Sequence, residues 1–461
     1  MKNIAYLGAA FFITACSAAN AGPNAAERGL SLYTDLCADC HGSDLRGGSA
    51  PSLADDNFEY GASDANILEN ISKGIEEVGM PAFGETLSEE QKNDLLAYIR
   101  NGSEATRSTK PIDDVPSQTD NVKVEDFITG LNAPWGIAPI PGSTDWLVTE
   151  KSGQLLMISG DQRTDIKNIP AVNDGRQGGL LDVAFDPDYA SNKWVYLSYS
   201  HPLERDFDAA MTKVIRGKIV DGVLAEQETL FEARHEDYIK TGFHYGSRIT
   251  FDDAGHLYFS IGDRGNKDEA QDINKPNGKI HRINRDGSIP ADNPFAGRTD
   301  AYETIYSYGN RNPQGLIIHP DTGVLWQTEH GPKGGDELNA ITSGTNYGWP
   351  AISYGRNYNG TVLTPYTSKE GMQQPVSQWT PSIAVCGLDV YTGDLFPEWK
   401  GRLLAGALKY EQIRLIDVDG NSYKGESIIL NKKGRVRDVT TGPDGAIYAA
   451  LETKIVRLSP Q

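Results

Sequence analysis

Two cysteines three positions apart and followed at once by a histidine, Cys37-Ala38-Asp39-Cys40-His41, form the most specific chemical signal in the sequence. Thiols at this spacing share one helical turn, so both can add across the vinyl groups of a haem while the adjacent imidazole faces the iron. The motif reads as a covalent c-type haem site with His41 as an axial ligand. The sixth ligand of such an iron is a thioether or a second imidazole. Between residues 42 and 120 there is no other histidine, and Met80, in Gly79-Met80-Pro81-Ala82-Phe83, is the only methionine.

A second group of chemically capable residues lies further along. Phe243-His244-Tyr245-Gly246-Ser247-Arg248 offers an imidazole just before a strand. Such a histidine serves either as a base or as a hydrogen-bonded structural residue. Gly309-Asn310-Arg311-Asn312-Pro313-Gln314-Gly315 is a polar turn between two strands. Glu329-His330-Gly331-Pro332-Lys333-Gly334-Gly335-Asp336-Glu337, followed by Asn346-Tyr347-Gly348-Trp349-Pro350, is rich in oxygen donors and glycines, a composition that suits calcium. Lys409 falls in a strand-like run, and Arg435 with Arg437 puts cations at alternate positions. Alternation points to one sheet face, aimed at an anion or simply solvated.

Two kinds of element must carry these groups. Residues 24–104 read as helical, with apolar spacing over Ala25 to Leu36 and Asn66 to Ile75, and a third helix opened by Ser88-Glu89-Glu90-Gln91. That helix is expected to stop near Asn101-Gly102. Residues 105–121 form a linker with two prolines and no apolar period. From residue 122 to 461, short β-type runs recur between Gly, Pro, Asp and Asn turns, as in Trp194-Val195-Tyr196-Leu197-Ser198 and His256-Leu257-Tyr258-Phe259-Ser260. Repetition of one strand-turn-strand unit over about 340 residues fits roughly six propeller blades of four strands, with a sandwich array as the alternative.

The chain ends of this reading are bounded by composition. A formal net charge of -20 excludes nucleic acid as a partner, because phosphate binding needs clustered cations. Four cysteines, Cys16, Cys37, Cys40 and Cys386, exclude a disulfide framework, and Cys386 reads as a small buried apolar residue. Lys2 and the apolar run Ile4 to Ala15 read as an export signal over residues 1–21, too short to span a bilayer as a stop-transfer helix. Two processing sites compete. Ile13-Thr14-Ala15-Cys16 resembles a lipobox, which would make Cys16 the lipid tether of an outer-membrane lipoprotein. Ala19-Asn20-Ala21 fits ordinary cleavage, which discards it. Both place the protein in the periplasm of a Gram-negative bacterium.

Residues 24–104 resemble the class I cytochromes c, and that resemblance makes Met80 the axial thioether and the Pro51 carbonyl a support for His41. Residues 122–461 resemble the soluble PQQ-dependent glucose and aldose-sugar dehydrogenases. The matching motifs are Gly175-Arg176-Gln177-Gly178-Gly179-Leu180-Leu181, the His244 run, Ile261-Gly262-Asp263, Gly287-Ser288-Ile289-Pro290 with Asp292-Asn293-Pro294, Arg311 to Gly315, and the Gly331 to Pro350 block. The resemblance implies a mainly β fold, a six-bladed β-propeller behind a small all-α cytochrome domain. It implies His244 as the base for the sugar hydroxyl and Asp263 as the carboxylate that orients it and raises its basicity. It puts Arg311 and Asn312 at the quinone oxygens of pyrroloquinoline quinone (PQQ), and Lys409, Arg435 and Arg437 on its carboxylates. Gln177 and Tyr358 add PQQ contacts. The carbonyls of Gly331 and Pro332 take the calcium beside the quinone, and Glu337 with Tyr347 a structural calcium. The stretch Thr361 to Thr380 is shorter than in the glucose-type enzymes, which favours the aldose-sugar branch.

The expected activity is therefore oxidation of an aldose sugar, with electrons passing through the haem to a periplasmic cytochrome or terminal oxidase. A rival reading makes the propeller a non-enzymatic ligand-binding module beside an electron carrier. Another is lactone or ester hydrolysis on calcium, which has no use for the haem. One consequence is independent of that choice. Met80→Ala should keep the covalent haem and lose the thioether-to-iron absorption band of the oxidised protein. An unchanged spectrum would remove Met80 from the iron.

Overall fold

The computed structural model describes residues 25–461 except 43, 44, 46–49, 52, 54–57, 59, 108–114, 360, 362 and 365. The expected leader with Cys16 lies outside the described residues. The chain divides into two compact units, Met1–Thr106 and Arg107–Gln461.

In the first unit the helices are α1 (Ala25–Leu36), α2 (Ala38–His41), α3 (Asp64–Lys73) and α4 (Glu89–Arg107). Helices α1 and α4 meet at Gly29, where an added Cβ would lie 2.0 Å from the Asp94 carbonyl oxygen. Only glycine permits that approach. Arg28 pairs with Asp94 at 2.7 Å beside the crossing. Tyr33, Ile67, Ile71, Leu87, Leu95 and Ile99 fill the core. Ser88 and Gln91 form a reciprocal cap at the start of α4: the Ser88 amide donates to Gln91 Oε1 at 2.9 Å and the Gln91 amide to Ser88 Oγ at 3.2 Å. The helix does not stop at Asn101-Gly102. It runs to Arg107, three residues into the expected linker. A glycine inside a helix costs only about 1 kcal/mol relative to alanine, and Glu104-Ala105 favour continuation.

The second unit contains six four-stranded antiparallel sheets. Their innermost strands are, in order, Pro134–Pro139, Leu180–Phe185, Ile249–Phe251, Pro313–Ile318, Val385–Val390 and Asp438–Thr441. Each touches the next, and the sixth touches the first, so the sheets are blades of a closed ring. Second strands such as Trp146–Glu150 and Leu325–Glu329 are buried at every position, because a neighbouring blade covers each face. Hydroxyls on these strands fix the blade-to-blade register. Thr149 donates to the Leu181 carbonyl at 2.6 Å, Ser198 to Ser247 at 2.6 Å and Thr328 to Cys386 at 2.7 Å.

The ring is closed by the strand Val122–Thr129, which forms the outer strand of the sixth blade. It pairs antiparallel with Lys454–Pro460, Val122 opposite Pro460 and Thr129 opposite Lys454. The preceding segment, expected as linker, is docked. The Gln118 amide donates to the Ile428 carbonyl and the Ile428 amide to the Pro116 carbonyl, both at 2.8 Å, on the outer strand of the fifth blade.

Near the axis, Arg248 joins three blades. Its Nη1 lies 2.9 Å from Asp182 and 3.0 Å from Asp438, and its Nε donates to the Gln314 carbonyl at 2.9 Å. Asp182 accepts the Ile249 amide at 2.8 Å, and Asp438 the Ile137 amide at 3.0 Å. Burial pushes both carboxyls up, and the Arg248 charge pulls them back. Removing one member of a buried ion cluster costs about 3–5 kcal/mol. Arg248→Met should lower propeller stability by about that amount in urea unfolding followed by tryptophan fluorescence. A carboxyl whose folded pKa is raised stabilises the fold as pH falls. The deficit should therefore shrink from pH 8 toward pH 5. A pH-independent deficit would mean that packing, not charge, is lost.

Candidate functional site

Blade topology puts the chemistry on one face. Each blade starts at the axis and weaves outward through antiparallel strands, so the segment before its first strand and the turn between its second and third share a face. Gln177, His244, Arg311, Asn312, Arg435 and Arg437 all precede a first strand. Asp263, the His330–Gly335 segment and Lys409 all follow a second strand. Lys409 is thus in a turn after Leu403–Ala407, not within a strand as its apolar flanks suggested. Arg435 and Arg437 also precede their strand, and the alternation survives as a buried Val436 between them.

The centre of this face is a hydrogen-bonded pair. His244 Nδ1 lies 2.6 Å from Asp263 Oδ1. The other carboxylate oxygen accepts from Trp349 Nε1 at 2.8 Å, and Oδ1 also accepts the Gly265 amide at 2.8 Å. Burial pushes the Asp263 carboxyl up, but the His244 hydrogen bond, the charges of His244 and Arg311, and the Gly265 amide together hold it below the usual range. It is a carboxylate and can only accept. Nδ1 therefore carries the hydrogen and Nε2 is left as a bare base. Burial drives the His244 imidazole down. The Asp263 bond opposes this, and Arg311 and Arg264 reinforce it. The net shift is downward, although Asp263 raises the basicity of His244, as expected from sequence. It only offsets part of the desolvation.

Gln177 positions the loop: its Oε1 accepts the His244 amide at 2.8 Å. The Arg311 amide donates to Glu329 at 2.6 Å, its Nη1 donates to the His330 carbonyl at 2.9 Å, and its guanidinium lies 5.3 Å from the Trp349 ring centre. Asn312 Oδ1 accepts Gln314 Nε2 at 3.2 Å and the Gly246 amide at 3.3 Å. Arg437 stacks 4.0 Å above the Trp135 ring and donates to Cys386 Sγ at 3.4 Å. Lys409 and Arg435 are exposed. Among the described residues none of the charged side chains of Arg311, Lys409, Arg435 and Arg437 forms an ion pair with a carboxylate, although the Arg311 and Arg435 amides donate to Glu329 and Glu452. Tyr358 is 74% exposed and bonds to none of these groups among the described residues.

Beneath Arg311 is a cavity of about 10 Å³ lined by Glu329, Gly331, Pro332, Glu337 and Tyr347. It is large enough for one water-sized sphere. Burial raises both carboxyls, and the charge of Glu329 raises Glu337 further. Asn310 Oδ1 and Asn339 Oδ1 are buried without partners among the described residues. An all-oxygen set of this kind suits a hard cation.

In the first unit, Cys37 precedes α2, and Cys40 and His41 lie on it. His41 Nδ1 lies 2.9 Å from the Pro51 carbonyl oxygen, which leaves Nε2 for iron. Met80 pairs with Ile75 in a two-bond bridge, 3.0 Å each way. Gly74 lets that loop close: its Cβ would stand 2.5 Å from the Met80 carbonyl oxygen.

Three site residues were not assigned from sequence. Trp349 sits inside a motif that carried the resemblance and His330 directly before it, and only the folded ring reveals their partners. His330 Nε2 is buried without a partner among the described residues. Burial and the charges of Arg437 and Arg311 push its imidazole down to about 3. Cys386 is buried as expected but contacts Arg437.

Residues 131–458 match the glucose/sorbosone dehydrogenase family, and residues 24–99 match the family of cbb3-type cytochrome c oxidase subunit III. The aldose sugar dehydrogenase YliI of Escherichia coli is 37% identical over 351 residues, which cover 74% of this chain and 93% of that protein. The apo structure of the soluble E. coli aldose sugar dehydrogenase superposes with a TM-score of 0.70 at 36% identity, over 74% of this chain and all (100%) of that one. The PQQ-bound aldose sugar dehydrogenase of Streptomyces coelicolor superposes with a TM-score of 0.61 at 28% identity, over 75% and 100% of the two chains.

The electrostatics of the pair are directly measurable. In histidine-labelled protein, the His244 imidazole should titrate below its ordinary value of 6.5. Asp263→Asn should move it further down, because the carboxylate favours the charged ring, and Arg311→Gln should move it up. Opposite signs would mean that the pair is not formed.

Proposed function

Because the chain belongs to the glucose/sorbosone dehydrogenase family, with a cytochrome c domain ahead of the propeller, we propose that it oxidises aldose sugars to lactones with PQQ and sends the electrons out through its haem. The observation that carries this reading is the His244–Asp263 pair, its bare Nε2 sharing a face with four cations that have no carboxylate partner among the described residues. Bound there, PQQ supplies the acceptor for the anomeric hydride, and haem a one-electron acceptor after it.

His244 Nε2 takes the proton of the anomeric hydroxyl. Asp263 keeps Nδ1 protonated and stabilises the imidazolium that forms, and Trp349 holds Asp263 in place. Arg311, with Asn312 beside it, would stabilise negative charge at the oxygens of a bound quinone. Lys409, Arg435 and Arg437 hold the PQQ carboxylates, assisted by Gln177 and Tyr358. The carbonyls of Gly331 and Pro332 hold one calcium, and Glu337 with Tyr347 a structural one. The small cavity among oxygen donors, with room for one ion, supports a cation at one of these positions. A calcium held by the Gly331 and Pro332 carbonyls would supply positive charge to the site. Cys37, Cys40, His41 and Met80 hold the haem. We also propose that the leader directs the protein to the periplasm, with Cys16 as a lipid tether if the lipobox is used. Electrons then pass to a periplasmic cytochrome or terminal oxidase.

The test is an absorbance scan of the purified protein with calcium, PQQ and a panel of sugars. Haem reduction should require both PQQ and an aldose, and should fail after calcium chelation. His244→Ala should still bind PQQ and lose sugar oxidation by about 100-fold or more. Lys409→Ala should weaken PQQ binding, and excess PQQ should partly restore turnover. Wild-type turnover by His244→Ala at saturating PQQ would overturn the assignment of the base.

A further inference from the structure

Three consecutive residues beyond the strand His256–Ile261 grip the loop that carries His244. Gly262 packs against it: an added Cβ would stand 2.3 Å from the His244 carbonyl oxygen. Asp263 takes His244 Nδ1. Arg264 turns inward and is wholly buried. Its Nη1 donates to the carbonyl of Phe243, the peptide joined to His244. Its Nη2 donates to the Ala210 carbonyl at 3.1 Å, in the second blade. Its guanidinium stacks on the Tyr245 ring, 3.4 Å from the ring centre. One side chain thus holds the residues on both sides of His244.

The loop needs holding. His244 has φ +52° and Arg264 φ +56°, both in the left-handed region. A non-glycine residue there costs about 1–2 kcal/mol and persists only where its neighbours over-determine it. Arg264 is also an expensive choice for packing alone. Its bonds go to main-chain carbonyls rather than a carboxylate, and its Nε is buried without a partner among the described residues. An apolar side chain of similar volume commonly serves stability as well or better than a buried charge. A planar fork that bonds two carbonyls and stacks on a third residue fits a demand for geometry.

We propose that Arg264 is a positioning residue for the base, fixing the Phe243–His244 peptide so that Nε2 meets the sugar hydroxyl while Asp263 holds Nδ1. The proposal rests on the reading of His244 as the base.

Two variants test it. Arg264→Lys keeps the charge and loses the planar fork. Arg264→Ala leaves a cavity that free guanidinium ion can enter. Both should keep the wild-type circular dichroism spectrum and bind PQQ with affinity within about twofold, while kcat falls about 100-fold and KM changes little. In the protein without PQQ, the low-field proton resonance of His244 Nδ1–H should be lost or displaced in both. Millimolar guanidinium should restore part of kcat and of the resonance in Arg264→Ala and none in Arg264→Lys. A folded Arg264→Lys with kcat within about threefold of wild type, or with an unchanged resonance, overturns the proposal. Should Arg264→Ala fail to fold, Arg264→Lys decides alone. Should wild type oxidise no aldose at all, the proposed activity falls, and the resonance still decides whether Arg264 positions His244.

Discussion

The antiparallel pairing of Val122–Thr129 with Lys454–Pro460 closes the ring, and the whole functional face of the propeller depends on that closure. Gln177 belongs to the entry of the second blade, His244 and Asp263 to the third, Arg311 and His330 to the fourth, Lys409 to the fifth, and Arg435 and Arg437 to the sixth. No blade holds a working set. Only the ring brings Arg437 over Trp135 of the first blade and its Nη1 to Cys386 of the fifth. The axial cluster enforces the same condition. Arg248, Asp182 and Asp438 come from three blades, and buried charges are tolerated only when all partners arrive.

Closure also creates an electrostatic environment opposite to that of the whole chain. The protein carries a formal net charge of -20, yet its functional face gathers cations without carboxylate partners among the described residues. Burial lowers the pKa of the neighbouring His244 imidazole, and Arg311 adds to that effect. Burial is the largest influence on the basicity of His244, the Asp263 hydrogen bond opposes it, and Arg311 comes next.

What could be read from the sequence was what is local. Cys37, Cys40 and His41 must share a helical turn for covalent reasons, so their spacing states their chemistry. The blade count was legible because turns such as Phe251-Asp252-Asp253-Ala254-Gly255 recur before apolar strands. The capping pair Ser88 and Gln91 announced a helix start, whereas its end was misjudged because Gly102 weakens a helix without ending it. Lys409 looked like a strand residue because Leu403–Ala407, just before it, is wholly apolar. Partners far apart in the chain were not legible. Trp349 meets Asp263 across 86 positions, and Arg248 meets Asp438 only across the axis. The resemblance supplied roles for His244, Asp263 and Arg311, but no pattern marked Arg264, whose bonds run to backbone.

The closing strand also sets an order of events during synthesis. Val122–Thr129 is the first β-strand to leave the ribosome, and its partner Lys454–Pro460 is the last. Until then its backbone amides and carbonyls form an unpaired edge, open to pairing with the wrong strand or another chain. The contact that completes the fold has nearly the longest sequence separation the propeller allows, which makes closure a late and slow step. The helical unit has no such wait, since all its core residues precede residue 100. The helical unit can therefore complete its core while the propeller is still open, and truncation anywhere in the last blade leaves the propeller permanently open.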